Sequence, residues 1–301
     1  MGKGTGSVGC LHCGVAGLPH LPLVSVDARS TGRRSRKRRP AKTPPINTIA
    51  PARAYYRAIL PLVAALRRDM QKHILPLVNR AVKESDAELT RDAIEDDISE
   101  AFEKLKVKYN SPNILLPFMD SIKSAGLKTS KLHKTQTESQ FQSLGIDIFK
   151  ESKSLSRLMR RFTSRNFDMI KSIPADVLAE SEKIVTNGVA TGLRNEVIAA
   201  RLISESPPGE DATPGQIRKA KQRAAVIARD QVLTFSQQLS KARQQANGIE
   251  SFIWRTVGDG RVRELHEPRE GQEYTWKTGA SGGDPFPGSG VQCRCWSEPV
   301  I

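Results

Sequence analysis

The sequence predicts an α+β fold: a mostly helical body, a small C-terminal α+β module of short strands, and a basic, disordered N-terminal tail. Three observations carry this expectation. Apolar residues recur at three- and four-residue spacing from about residue 51 to 247. Beyond Gly248 the pattern changes to short strand-like runs separated by Gly and Pro. The first 50 residues hold nine Lys or Arg against the single acid Asp27, a composition that buries too little apolar surface to fold alone.

The tail is expected to cover residues 1–48. Its centre is Arg33, Arg34, Arg36, Lys37, Arg38 and Arg39, cations that neutralise phosphates without reading a base sequence. Such a run also suits nuclear localisation or plain solubility. Cys10, His12, Cys13 and His20 lack the spacing of a four-ligand zinc knuckle. The glycines at 4, 6 and 9 lack the preceding strand that a dinucleotide fingerprint needs.

A helical body is expected over 49–205. Residues 54–82 place Tyr55, Ile59, Leu62, Val63, Leu66, Ile74, Leu77 and Val78 at helical spacing, and Pro61 and Pro76 should kink or break that helix. Ser85 and Glu88 form a capping box, after which Ile94, Ile98, Phe102, Leu105 and Tyr109 share a face until Ser111 and Pro112. The pattern weakens over 113–172, where Leu155, Leu158, Met159, Phe162, Phe167 and Ile170 mark a helix with Arg and Lys on its outer face. Pro174 should start another helix that ends at Asn187 and Gly188. A short helix over 193–203 follows, and the Pro- and Gly-rich residues 206–215 read as a linker. His73 and His133 stand alone in their segments and are expected at the surface.

The last unit is expected over 216–301. A long helix over 216–247 carries Ala224, Ala228, Val232, Phe235, Leu239, Ala242 and Ala246, a small-residue stripe suited to close helix packing. Strands are expected at 252–257, 273–276 and 293–300, with a turn at 258–260 and a Gly- and Pro-rich loop at 279–290.

Composition narrows the function classes. The chain of 301 residues has 47 Lys and Arg, 32 Asp and Glu and a net charge of +15, which suits a polyanionic partner. The longest apolar run, residues 58–66, contains Pro61 and is far shorter than the roughly 20 residues a membrane-spanning helix needs. No membrane association is expected. Pro19, His20 and Pro22 interrupt the one stretch resembling a secretion signal. Four cysteines in two close pairs read as reduced, cytoplasmic thiols.

One ordered series of motifs is specific. It runs through Arg223-Ala224, Ile227-Ala228-Arg229-Asp230-Gln231, Ala246-Asn247-Gly248-Ile249 and Trp254-Arg255-Thr256. It continues with Asp259-Gly260-Arg261-Val262-Arg263, His266, Glu270-Gly271-Gln272, Gln292-Cys293-Arg294-Cys295 and Pro299-Val300-Ile301. In this series residues 223–301 resemble the phage Mu F-like minor head, or head morphogenesis, protein family. The resemblance implies a non-enzymatic minor capsid protein of a tailed phage or prophage, near the portal vertex, that aids head assembly and DNA packaging or delivery. It implies the portal protein and other head proteins as partners, phage DNA reached through the tail, and a place in the head interior or, during assembly, in the host cytoplasm.

Trp254, Asp259, Arg261, Arg263, His266, Gly271, Cys293 and Cys295 are read as the module's structural motif. Asp259 is expected to accept backbone N–H groups and to pair with Arg261 or Arg263. No cofactor is expected; zinc on His266, Cys293 and Cys295 is the alternative, since two thiols and an imidazole suit that ion. Phe286-Pro287-Gly288 stands where the similar proteins carry His-Pro-Gly, which removes one candidate ligand. A metal-dependent nuclease using Asp259 and His266 is the enzymatic alternative, and a non-specific nucleic-acid binder is another.

Overall fold

The structure is a computed structural model describing residues 44–83, 88–205 and 214–301, without the side chains of 83–92. The tail cations, the thiols and imidazoles of residues 10–20, the Ser85–Glu88 box and residues 206–213 of the expected linker lie outside the described residues.

Helix α1, Ile49–Asp69, buries Tyr55, Ile59, Leu62, Val63 and Leu66 and runs through Pro61 without a break. Pro76 acts differently. Its missing N–H and its ring disturb the carbonyl four residues back, and the chain widens into a π-helical turn, Met70–Ile74, before α2, Leu75–Lys83. Helix α3, Glu88–Asn110, buries the expected face from Ile94 to Tyr109. Ser111 and Pro112 do more than stop it. The Ser111 hydroxyl accepts the Asn113 N–H at 3.3 Å and Pro112 occupies the first turn of α4, Pro112–Ser143.

Helix α4 is the element least visible in the sequence. Its C-terminal half buries Thr129, Ser130, His133 and Thr137, so no apolar stripe marks it. His133, expected at the surface, is 1% exposed.

Helix α5, Leu155–Ala190, spans what reads as two helices, because Pro174 is absorbed inside it. Gly188 does not end it. Gly188 is buried where a Cβ would stand 2.8 Å from the side chain of Ile198, so it lets α6, Asn195–Ile203, approach. The left-handed turn after α5 falls at Gly192, φ +67°.

The longest stripe belongs to α7, Gln216–Ala246, which buries Ala224, Ala228, Val232, Phe235 and Leu239. This helix packs along α1, α4 and α5, and α3 lies against α5. The alanine-rich stripe is therefore used inside the bundle. Each large apolar side chain so buried contributes about 1.5–3 kcal/mol.

Three short strands follow α7: β1 Ser251–Arg255, β2 Glu273–Thr275 and β3 Trp296–Pro299. They form an antiparallel sheet of order β2-β1-β3, with Phe252 opposite Tyr274 and Trp254 opposite Ser297. The third strand begins at Trp296, so Cys293 and Cys295 precede it in a loop. Gln244 of α7 ties sheet to bundle: its carbonyl accepts the Trp276 indole N–H at 3.0 Å and its amide donates to the Ser297 carbonyl at 3.3 Å. No helix among the described residues is long and apolar enough to cross a membrane.

Candidate metal centre

The sheet covers a small second core of Phe252, Trp254, Trp276, Ala280, Cys293 and Cys295. Its polar edge is where the sequence-expected residues converge. His266 Nδ1 lies 3.6 Å from Cys293 Sγ and 3.6 Å from Cys295 Sγ. The three side chains are buried, and their ligand atoms all lie within 4.8 Å of one another.

The imidazole is oriented from behind. His266 Nε2 faces the Asp284 carboxylate at 3.2 Å. A carboxylate accepts, so the proton belongs on Nε2 and the lone pair on Nδ1 points at the sulfurs. A carboxylate on the far nitrogen is also how a metal-binding imidazole is held.

Asp284 sits in left-handed backbone, φ +41°, and Arg269 pins its loop. The Arg269 guanidinium donates to the carbonyls of Asp284, Ser281 and Gly283 at 2.8–2.9 Å and lies 4.8 Å over the Trp254 ring. Neither Arg269 nor Asp284 belongs to the motif read from the sequence.

The two thiols are not equivalent. The Cys295 thiol as hydrogen-bond donor, then the backbone N–H groups of Gly288 and Cys295, hold the Cys293 thiol below its usual range. The resulting thiolate, with burial, pushes Cys295 up. One proton is shared across the pair, the state a divalent cation would displace. The indole N–H of Trp254 acts on Cys295 in the opposite sense, favouring its thiolate.

Loop placement explains several motif residues. On α7, Asp230 accepts the Gln292 N–H and Arg229 donates to the Gln292 side chain. These contacts hold Gln292 at φ +55° just before Cys293. Glu270 accepts the Thr256 N–H and hydroxyl at 2.6 and 3.0 Å. Gly271 takes φ +78° so that its N–H reaches the Trp254 carbonyl at 2.8 Å. Phe286, in place of a histidine, stacks near Trp276 at 5.7 Å with the Lys241 ammonium 3.6 Å from its ring centroid. It supplies a ring to the core, not a ligand.

Asp259 does not pair with Arg261 or Arg263 through their side chains. It accepts the Arg261 backbone N–H at 3.2 Å and takes both Arg294 guanidinium nitrogens at 2.6 Å. Arg263 turns instead to Asp284 and the Val291 carbonyl. The Arg294 fork, chiefly, holds the Asp259 carboxyl below its usual range. Asp259→Asn should cost about 1 kcal/mol, because the pair is partly solvated. A depressed carboxyl adds stability above its unfolded pKa and loses it as pH falls through the folded one. Urea midpoints at pH 7 and at pH 3 check this: the variant's deficit should shrink at the lower pH.

The chain matches known proteins over this region. Residues 180–298, about two fifths of the chain, match the family described as Phage Mu protein F like protein. The match begins inside α5, earlier than the motif series suggests. An uncharacterized protein of Haemophilus influenzae (strain ATCC 51907 / DSM 11121 / KW20 / Rd) is 28% identical over 160 residues, which is 52% of this chain and 33% of that protein. The chain thus spans about a third of the length of the curated relative it matches. No solved structure matches. Over residues 180–298 the chain is thus similar to Phage Mu protein F like proteins.

Proposed function

We propose that this chain is a minor capsid protein of a tailed phage or prophage, seated near the portal vertex and aiding head assembly and DNA packaging or delivery. The observation that carries this reading is the family match, which takes in the end of α5, all of α7 and the sheet. The charge of +15 supports work beside packaged DNA, with Arg33, Arg34, Arg36, Lys37, Arg38 and Arg39 as tail contacts. The portal protein and other head proteins are its partners, and the head interior near the portal is its place. Quantitative mass spectrometry of purified heads tests this. A few copies per head, cross-linked to the portal, are expected. Absence from heads, or a copy number equal to the major capsid protein, overturns it.

The geometry of His266, Cys293 and Cys295 supports a second element of the reading, a resident Zn²⁺ with a structural role. His266 Nδ1 and the two thiolates would hold the ion, with water or a carboxylate as fourth ligand. When bound, zinc would cross-link the 266 turn to the 293–295 loop. The nuclease alternative has less support. Asp259 is taken by Arg294, Asp284 by His266 and Arg263, and Glu270 by Thr256 and Arg255. Each of these three carboxylates already serves the fold.

A further inference from the structure

We propose that the exposed face of α5 between Arg157 and Lys171 is a second docking surface for nucleic acid, one that takes the phosphate backbone of duplex DNA. The proposed function assigns DNA binding to the tail alone; choosing DNA among polyanions for this helix rests on the head-protein assignment.

Positions 157, 160, 161, 164, 165, 168 and 171 fall on one side of an α-helix at 100° per residue, and all seven are exposed. Five are cationic: Arg157, Arg160, Arg161, Arg165 and Lys171. Asp168 is the single acid, and Ser164 is neutral. Among the described residues, none of the five cations forms an ion pair or a side-chain hydrogen bond. On α5 itself Asp176 pairs with Arg223 and Glu182 with Lys106.

A folded chain gains nothing from five unpaired cations on one stripe, since like charges at three- and four-residue spacing repel. A polyanion offsets that repulsion. The stripe extends about 21 Å, and one DNA strand presents a phosphate about every 3.4 Å of axis. The stripe can therefore lie along several consecutive phosphates. Arginine suits this partner, because its fork binds phosphate oxygens two at a time.

Two other occupants fit less well. A second copy could offer the acidic helix α3, but Asp97, Glu100 and Glu103 there already pair with Arg80, Lys104 and Lys106. A membrane surface would want apolar residues beside the cations, and the apolar face of α5, with Phe162, Ile170 and Ile173, is buried in the bundle.

The test uses the full chain with the six tail cations replaced by Ser, so that the tail cannot mask the helix. Binding to a fluorescently labelled random 30-bp duplex is followed by anisotropy from 50 to 200 mM NaCl. This chain should still bind, with log affinity falling against log salt. Arg157→Gln, Arg160→Gln, Arg161→Gln and Arg165→Gln together should make that slope shallower by about 3 to 4, near 0.9 for each phosphate no longer neutralised. The matching Arg→Lys variant should retain most of the slope, because the slope depends on charge. The four positions are exposed, so thermal melts should coincide. No binding by the tail-substituted chain at 50 mM, or an unchanged slope in the Gln variant, overturns the proposal. So does a Gln variant that loses only self-association in sedimentation, or only binding to phosphatidylserine vesicles. Neither outcome bears on whether the chain is present in heads, which the head composition decides separately.

Discussion

Arg243→Ala should destabilise the folded chain by about 3 kcal/mol, at the lower end of what breaking a buried ion pair costs. Arg243 is 1% exposed and lies between α7 and the polar face of α4. Its Nε and Nη2 donate to the two oxygens of Glu151 at 3.0 and 2.9 Å. Nη2 also donates to Ser130 at 3.1 Å, and Nη1 to His133 Nδ1 at 2.8 Å. Truncation removes the guanidinium from all three acceptors; Glu151 keeps the Ser152 N–H at 2.9 Å and His133 Nδ1 keeps the Thr137 hydroxyl at 2.9 Å. Glu151 is about a third exposed and can recover water, which keeps the loss from the upper end. Lys at 243 should not restore the stability, since one ammonium cannot reach Glu151, Ser130 and His133 together. Urea denaturation of the full chain at pH 7 measures this, and a loss below 1 kcal/mol would show that the network is dispensable.

The same network sets a pH dependence. Arginine cannot accept a hydrogen bond, so His133 Nδ1 is the acceptor and its proton sits on Nε2, 2.9 Å from the Ser240 hydroxyl. Burial, then the Arg243 charge, lowers His133 to about 3. An unfolded histidine titrates near 6.5. Between those values the unfolded chain binds the extra proton, so stability is present above about pH 6.5 and falls on acidification by about 1.4 kcal/mol per pH unit. His133→Gln should flatten the stability profile between pH 6.5 and 4.5 by about one proton.

This network also shows why part of the fold is illegible in the sequence. Helix α3 is readable because Ile94, Ile98, Phe102, Leu105 and Tyr109 put apolar side chains on one face. Half of α4 offers Thr129, Ser130, His133 and Thr137 instead, residues that read as surface until Arg243, some 110 positions away, is known to face them. Pro174 and Gly188 mislead for a related reason. Each is a local stop signal, and each is overridden where packing against α7 or Ile198 holds the helix together. In the C-terminal module the motif series contains His266, Cys293 and Cys295, and the structure places their ligand atoms within 4.8 Å of one another. Asp284 and Arg269 carry no motif of their own. Their roles exist only once the 281–284 loop is folded beneath Trp254.

Zinc should raise the melting temperature of the full chain by about 5–10 °C when supplied at about one hundred times its dissociation constant. Binding to the folded state alone at that excess contributes about 2.7 kcal/mol, and a chain of this size shifts by about 2–4 °C per kcal/mol. The gain arises because His266 is on the turn after β1 and the cysteines are on the loop before β3, so one ion would add a buried tie between segments already joined by Asp259 with Arg294 and by Arg263 with the Val291 carbonyl. Cys293→Ser and Cys295→Ser should each abolish the shift, because a hydroxyl at neutral pH does not supply the anionic sulfur that zinc prefers. Asp284→Asn tests orientation: its side-chain oxygen can still accept from Nε2, so it should weaken zinc binding by about tenfold or more without removing it. The protein is first stripped with chelator, then bound zinc is counted and melts are recorded with and without the ion. A stripped chain that takes up no zinc, or a shift that persists in both serine variants, would sink the metal centre and leave the trio as a packed thiol–imidazole cluster. DNA cleavage supplies the remaining discrimination. A structural ion predicts none, whereas zinc- or magnesium-dependent cleavage lost in His266→Ala and Asp259→Asn at unchanged melting temperature would make the same residues catalytic.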